Sequence, residues 1–229
     1  MTSARQQTLG QAKPETLQIS EIFYSIQGES SQAGYPCIFV RLAGCNLRCT
    51  YCDARYTYEE PAKVFQLDEV LAAIAQLPPA ELVEVTGGEP LLQEGVYPLL
   101  SALLAGGRKV LLETNGSLSL ARLPAEVHCI MDVKCPGSGM ADHLETENFR
   151  RLTGRDEIKF VLSHRTDYDW ARQIIDHYRL LPGRSVTFSP VSGHLDPAEL
   201  ASWLLADALP VRLQLQLHTL LWPERRRGA

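Results

Sequence analysis

The stretch Cys45-Asn46-Leu47-Arg48-Cys49-Thr50-Tyr51-Cys52-Asp53 stands just after the apolar run Cys37-Ile38-Phe39-Val40-Arg41-Leu42. That run, bounded by Tyr35-Pro36 and Gly44, reads as a short buried strand that delivers the chain into a cysteine loop. Three thiolates at offsets of four and three residues can hold three irons of a cubane cluster and leave the fourth without a protein ligand. A structural zinc site is the alternative. It needs four closed N/S ligands, usually as two spaced pairs, and only Cys129, Cys135 or a His is left to complete one. A disulfide framework has no support, because 229 residues bury a core without staples and nothing marks the chain as secreted.

Working outward, strand and helix patterns alternate. Leu17–Ile26 carries apolar residues interrupted by polar ones and reads as a strand. Leu67, Val70, Leu71, Ile74 and Leu77 recur at helical steps, and Pro78-Pro79 stops that helix. Strands are expected at 82–86, 109–113, 129–133, 158–162, 185–188 and 211–217, with helices at 95–104, 167–178 and 197–205. Residues 118–127 contain Pro124 and little periodicity, so a loop or single turn is expected there. Strands separated by helical segments argue for parallel β/α units. With about six such strands the chain falls short of an eight-fold barrel, and an α/β fold of incomplete (β/α)6 type is expected. Residues 1–16 read as a loose N-terminal tail, 17–223 as one domain and 224–229 as a C-terminal tail.

Hydrophobic residues make up 45% and charged residues 21%, with a net charge of -5, an ordinary globular composition. A phosphate-backbone binder needs a basic face, so no nucleic-acid partner is expected, and Arg225-Arg226-Arg227 reads as a solvated run. No stretch reaches the roughly 18 apolar residues of a membrane span, and Met1–Glu15 lacks the apolar centre of a signal peptide. The expected compartment is the cytoplasm, where thiolates stay reduced.

Cys-x3-Cys-x2-Cys with Tyr51 before the last Cys resembles the cluster loop of radical S-adenosylmethionine (SAM) enzymes. Ile22-Phe23-Tyr24-Ser25-Ile26-Gln27-Gly28-Glu29-Ser30, Phe39-Val40-Arg41-Leu42-Ala43-Gly44-Cys45 and Thr86-Gly87-Gly88-Glu89-Pro90 narrow the likeness to the 7-carboxy-7-deazaguanine synthase family, in order from about Glu21 to Pro223. The resemblance implies an incomplete TIM-like barrel and a carbon–nitrogen lyase. Its reaction would be the radical-mediated ring contraction of 6-carboxy-5,6,7,8-tetrahydropterin to 7-carboxy-7-deazaguanine with loss of ammonia, on the way to queuosine and related deazapurines. It further implies a [4Fe–4S] cluster on Cys45, Cys49 and Cys52, SAM on the open iron, an external one-electron reductant of flavodoxin or ferredoxin type, and a homodimer.

In a parallel barrel the C-terminal strand ends share one mouth. The rim should therefore carry the cysteine loop, 86–90, 113–116, 132–134 and 189–192. By resemblance, Tyr51, Cys52, Asp53, Gly88, Thr114, Asn115, Asp132, Val133 and Lys134 contact SAM, whereas Ile26, Gln27, Gly28, Arg41, Thr86, Gln216 and Pro223 contact the pterin. On chemistry alone, two adjacent glycines let a ligand approach bare backbone, though a tight turn explains them too. A guanidinium inside an apolar strand needs a partner, either a substrate carboxylate held bidentately or a buried acid such as Glu29. The strictly alternating run 211–218 puts Gln214 and Gln216 on one face.

One position departs from the family. A Thr or Ser usually follows the Cys-Asp pair and joins Mg2+ coordination, whereas this chain has Ala54, whose methyl cannot ligate a hard cation. Magnesium stays open through substrate carboxylate, backbone oxygen and water, or through Thr57 standing in. Two other functions fit parts of the pattern. A glycyl-radical activase would share the cluster loop and glycine pair but has no use for Ile26-Gln27-Gly28 or Arg41, and a zinc-stabilised binding module would use the cysteines alone.

Overall fold

The computed structural model describes residues 16–225, 227 and 228; the expected N-terminal tail lies outside them except for Thr16. In chain order the elements are β1 (Thr16–Ile26), β2 (Pro36–Leu42), α1 (Tyr56–Glu59), β3 (Lys63–Gln66), α2 (Leu67–Ala75), β4 (Leu82–Gly87), α3 (Val96–Ala105), β5 (Lys109–Thr114), β6 (His128–Lys134), α4 (Asn148–Arg151), β7 (Glu157–Leu162), α5 (Arg165–His177), β8 (Ser185–Pro190), α6 (Pro197–Ala206), β9 (Arg212–Leu213) and α7 (Leu217–Leu221). One sheet runs β3-β1-β2-β4-β5-β6-β7-β8-β9. From β2 to β9 every neighbour pair is parallel, and β1 and β3 add an antiparallel edge. Because β9 does not pair back to β3, the sheet curls without closing, and the architecture is an incomplete (β/α) barrel.

Strand periodicity sorts side chains onto two faces. The outer face supplies Ile38, Val40, Val83, Val85, Leu112, Met131, Val133, Ile158 and Phe160 to the large core beneath the helices. The inner face begins apolar at the floor, where Cys37, Phe39, Leu82, Leu111 and Ile130 pack with Phe23. Towards the C-terminal strand ends the same face turns polar. Parallel register sets Arg41 beside Thr86 and Asp132 beside Lys159. The polar side chains of the mouth thus follow from strand alternation continued beyond an apolar plug.

The structure has no helix between β5 and β6, as Pro124 suggested. It departs from expectation at 211–217, where the ladder stops at Leu213 and a helix begins at Leu217. Alternation alone does not make a strand when a side-chain partner is better placed. Gln214 donates through Nε2 to the Ser30 carbonyl and accepts from the Ser30 amide at 2.9 and 2.8 Å, and the Leu217 amide donates to the Gly28 carbonyl at 3.1 Å. The Gln214 amide still donates to the Phe188 carbonyl of β8 at 3.0 Å, and past it the chain turns to close over the 28–30 loop. The short strand β3 and helices α1 and α4 carried no periodic signal of their own.

Candidate active site

The strand ends enclose a cavity of about 510 Å³. Ile26, Gln27 and Gly28 at the end of β1, Arg41 on β2, Thr86 and Gly88 at the end of β4, and Gln216 and Pro223 near the C-terminus all line it. So do the three cysteines with Tyr51 and Asp53, Thr114 at the end of β5 with Asn115 after it, and Asp132 and Lys134 on β6. Val133 is the exception among the expected residues. It lies between Asp132 and Lys134 on a strand, so its side chain turns into the outer core, fully buried.

The cysteine loop is tied on several sides. The Gly44 amide donates to the Thr57 carbonyl at 2.7 Å, and the Glu89 amide donates to the Gly44 carbonyl at 2.9 Å. Gly88 sits so close that a Cβ there would lie 2.3 Å from the Gly44 carbonyl oxygen and 2.6 Å from Cys45 Cβ, so the absence of a side chain is a condition for seating the loop. Tyr51 donates its hydroxyl to the Val161 carbonyl across the mouth at 3.0 Å. Burial raises the Cys49 and Cys52 thiols; Lys134 pulls Cys49 back down, and the Ala54 amide and Tyr58 hydroxyl do so for Cys52.

All six cysteines are free. Among the described residues no three His, Cys, Asp or Glu side chains gather closely enough to hold one metal ion, as a zinc site with sulfurs about 2.3 Å from its ion would require. Three thiols of one loop that line the same cavity suit a cubane, where each thiolate would take its own iron. Asp132 keeps one buried carboxylate oxygen, Oδ1, without a hydrogen-bond partner, an acceptor suited to an ammonium or hydroxyl of a bound molecule.

Glu89, fully buried, organises the 114–115 corner. Its carboxylate accepts from the Leu91 and Asn115 amides at 2.9 and 2.8 Å and from Thr114 Oγ1 at 2.9 Å. Burial pushes it up to about 7, against the pull of these donors. The Thr114 hydroxyl proton is thus already committed to Glu89, and the Asn115 side chain is fixed beside it, donating to Asn46 Oδ1 at 3.1 Å and accepting from the Ser117 amide and hydroxyl at 2.9 and 2.6 Å.

Arg41 answers the partner question differently from the expected acid. Its Nε donates to Glu21 Oε1 at 2.9 Å, and the Tyr56 hydroxyl donates to the same oxygen at 2.8 Å. Burial alone would lower this guanidinium; Tyr56, Glu21 and Asp53 together keep it raised. The terminal nitrogens are left for the cavity. Glu29 instead pairs with Lys159 on β7, a residue not singled out in the sequence. Lys159 is only 4% exposed and also donates to Glu113 Oε1 at 2.5 Å, with Asp132 Oδ2 at 3.7 Å. Gln216 Nε2 donates to the other Glu29 oxygen at 2.6 Å. Glu84, equally buried, accepts from Gln27 Nε2 and is raised by burial and by nearby Glu113. A charged residue between apolar neighbours in a parallel strand, as in Ile158-Lys159-Phe160 and Val83-Glu84-Val85, was the available signal.

Thr57, the residue that could stand in for the missing hydroxyl at Ala54, lines the cavity; its Oγ1 donates to the Ala54 carbonyl at 2.7 Å, which leaves the oxygen's lone pairs uncommitted. The residues expected as a C-terminal tail contribute Arg225, Arg227 and Gly228 to the cavity wall. Arg227 pairs with Glu60 and covers the Tyr56 ring, and the Gly228 amide donates to Glu21 at 3.2 Å.

A model of the radical SAM superfamily matches residues 40–130. A 7-carboxy-7-deazaguanine synthase of Koribacter versatilis is 47% identical over 226 residues, spanning 93% of this chain and 100% of that one. One of Chlorobaculum tepidum is 49% identical over 215 residues, spanning 93% and 97%. The crystal structure of QueE from Escherichia coli matches with a TM-score of 0.73 at 23% identity, over 88% of this chain and 94% of that one. Streptococcus suis SuiB bound to S-adenosylmethionine matches at 0.54 and 15% identity, over 79% and 50%; these two likenesses concern the fold. Sequence identity along nearly the whole chain, on top of that shared barrel, makes this chain a member of the 7-carboxy-7-deazaguanine synthase family of radical SAM proteins.

Proposed function

We propose that the chain converts 6-carboxy-5,6,7,8-tetrahydropterin to 7-carboxy-7-deazaguanine with loss of ammonia. The observation that carries this reading is the mouth itself. A partly free guanidinium (Arg41), a buried amide (Gln27) and a ring of carboxylates around Lys159 share one cavity with three loop thiols. A carboxylated pterin offers the complement, an anionic carboxylate for Arg41 and ring N–H donors for Glu84, Glu113 and the Gln27 region.

In this reading Cys45, Cys49 and Cys52 hold the cluster. Tyr51, Asp53, Gly88, Thr114, Asn115, Asp132 and Lys134 receive SAM, with Val133 reaching it only through its main chain. Ile26, Gln27, Gly28, Arg41, Thr86, Gln216 and Pro223 receive the substrate. When bound, the cluster and SAM supply the one-electron chemistry that begins hydrogen abstraction. The protein's share is to fix the pterin against the cofactor and to exclude water. Arg41 orients the substrate carboxylate while Glu21 and Tyr56 fix the arginine. Lys159, whose ammonium is held well above its usual range by Glu113, Glu29 and Asp132 despite its burial, is a poor proton donor; it serves as a fixed charge that gathers three strand ends and the 28–30 loop. Trp222, Pro223, Arg225, Arg227 and Gly228 complete the wall of the mouth.

Residue 54 carries no hydroxyl, so any Mg2+ would rest on substrate, backbone and water, or on the lone pairs of Thr57. Expected surroundings are a cytoplasmic homodimer fed by a small electron-carrier protein; among the described residues no helix is long and apolar enough to cross a membrane. The test is an anaerobic assay with SAM, reductant and carboxy-tetrahydropterin, with and without Mg2+. A brown protein with about four irons per chain that forms the deazaguanine supports the reading. A colourless zinc protein, or SAM cleavage that leaves the pterin intact, overturns it.

A further inference from the structure

The three thiols sit on a stretch with no helix or strand between Leu42 and Tyr56. Gly44 and Gly88 tie its first residues, but its middle is held from a different element. Thr50, between Cys49 and Tyr51, donates its amide to the Ser138 carbonyl at 3.0 Å and its hydroxyl to the Gly137 carbonyl at 2.8 Å. Two residues earlier, the Arg48 amide donates to Met140 Sδ at 3.4 Å. All three acceptors belong to the tight turn 136–140, which follows directly on the end of β6.

That turn is built on buried polar groups. Ser138, fully buried, donates its hydroxyl to the Cys135 carbonyl at 2.6 Å and accepts from the Met140 amide at 3.0 Å. One carboxylate then fastens the turn to α5. Asp167, also fully buried, accepts from the Gly137 amide at 2.7 Å through Oδ1, and from the Ser163 amide and hydroxyl at 2.9 and 2.6 Å through Oδ2. A Cβ at Gly137 would lie 2.2 Å from Ser163 Oγ and 2.5 Å from Asp167 Oδ2, so only bare backbone can come this close. Burying a carboxylate is costly unless donors compensate it, and here the donors are those of the turn. None of Thr50, Gly137 and Asp167 lines the mouth, so contact with cofactor or substrate does not account for them.

We propose that the 136–140 turn, fastened by Asp167, is a clasp that keeps the cysteine loop in its cluster-ready shape while the chain is free of iron, with Thr50 and Asp167 as positioning residues for Cys49. The proposal rests on the radical SAM reading of the three cysteines, which gives the loop its purpose. A loop ordered in advance pays less of the ordering cost when its ligand arrives, and a site is held best by neighbours that are themselves locked by packing and hydrogen bonds. Asp167 supplies that lock from a helix 30 residues further along the chain than the Gly137 it holds.

The experiment uses the full chain, anaerobic and iron-free, and then the same chain reconstituted. Hydrogen exchange reads the residue 50 amide, and timed alkylation read by mass spectrometry compares Cys49 with Cys129, a buried core cysteine outside the clasp. In the iron-free wild type the Thr50 amide should be protected. Thr50→Val removes the hydroxyl donor and keeps the amide and the shape; exchange at residue 50 and alkylation of Cys49 should both rise about fivefold, and Thr50→Ser should restore them. Asp167→Asn should raise both about tenfold or more, because the bonds weakened are to a charged group. Cys129 should react at the wild-type rate in Thr50→Val, and after reconstitution that variant should lose iron to a chelator faster than wild type. An unprotected Thr50 amide in the iron-free wild type would overturn the proposal. So would a Cys49 rate or an iron loss unchanged in Thr50→Val, or Cys49 and Cys129 rates that rise together there, which would make Thr50 one more contact of the fold. The iron-free readouts need neither cofactor nor pterin, so a chain that shows the clasp yet takes up no cluster would reject the radical SAM reading alone.

Discussion

Replacing Lys159 with Met removes the single cation on which Glu29 and Glu113 converge, with Asp132 3.7 Å away. Methionine fills much of the same space, so the cost is electrostatic. Breaking a buried pair by removing one partner costs about 3–5 kcal/mol, and here two carboxylates lose their counter-charge at once. For a chain this size each kcal/mol moves Tm by about 2–4 °C, so a fall of about 10 °C is expected at pH 8. Carboxylates left facing one another without a cation repel, so removing one of them should ease the loss. Thermal unfolding of the anaerobically reconstituted protein at pH 8 measures it, and adding Glu113→Gln to Lys159→Met should recover part of the loss. A Tm within about 2 °C of wild type, or no recovery in the double variant, would refute the view that Lys159 binds the strand ends together.

Arg41→Lys keeps the charge but loses the planar fork; KM for the pterin should rise by a factor of roughly 10–100 with kcat little changed, and an unaltered KM in steady-state assay removes the carboxylate role. Gly88→Ala places a methyl against the Gly44 carbonyl and Cys45 Cβ, so iron per chain after reconstitution should fall well below wild type, and full iron content would show that the loop has room to move. Glu157 is pulled down to about 2, since His128, Ser31 and Arg212 donors outweigh its burial. Its stabilisation is present above the unfolded carboxylate range and lost as pH falls from there towards 2. Glu157→Gln should thus cost roughly 2 kcal/mol at pH 7 and little near pH 2, as read from urea midpoints. With no hydroxyl at residue 54, removing divalent cations with EDTA should change kcat/KM less than twofold; a larger loss restored by Mg2+ would show that substrate, backbone and water, or Thr57, hold the ion.

The primary sequence was enough for the elements with strong periodicity and for residues whose type is itself chemical. Cys45, Cys49 and Cys52 need only spacing to suggest a cluster, and the parallel β/α order follows from apolar runs alternating with helical patterns. Strand alternation also accounts for Asp132 and Lys134 facing the mouth, and it should have warned that Val133 would not. Tertiary structure alone decided the pairings. Arg41 meets Glu21 through the antiparallel register of β1 and β2, whereas Glu29 meets Lys159 because the 28–30 loop folds against β7, at sequence separations of 20 and 130 residues. The same is true of Glu89 holding Thr114, of Gly88 as a seat for the cysteine loop, and of the Gln214 side chain bonding Ser30. Local pattern reports which face a side chain occupies, because that is set by backbone geometry a few residues long. Which opposite charge it finds there is set by chain closure across the barrel, where the cost of burying an unpaired ion selects one partner among several acids that look equivalent in the text of the sequence.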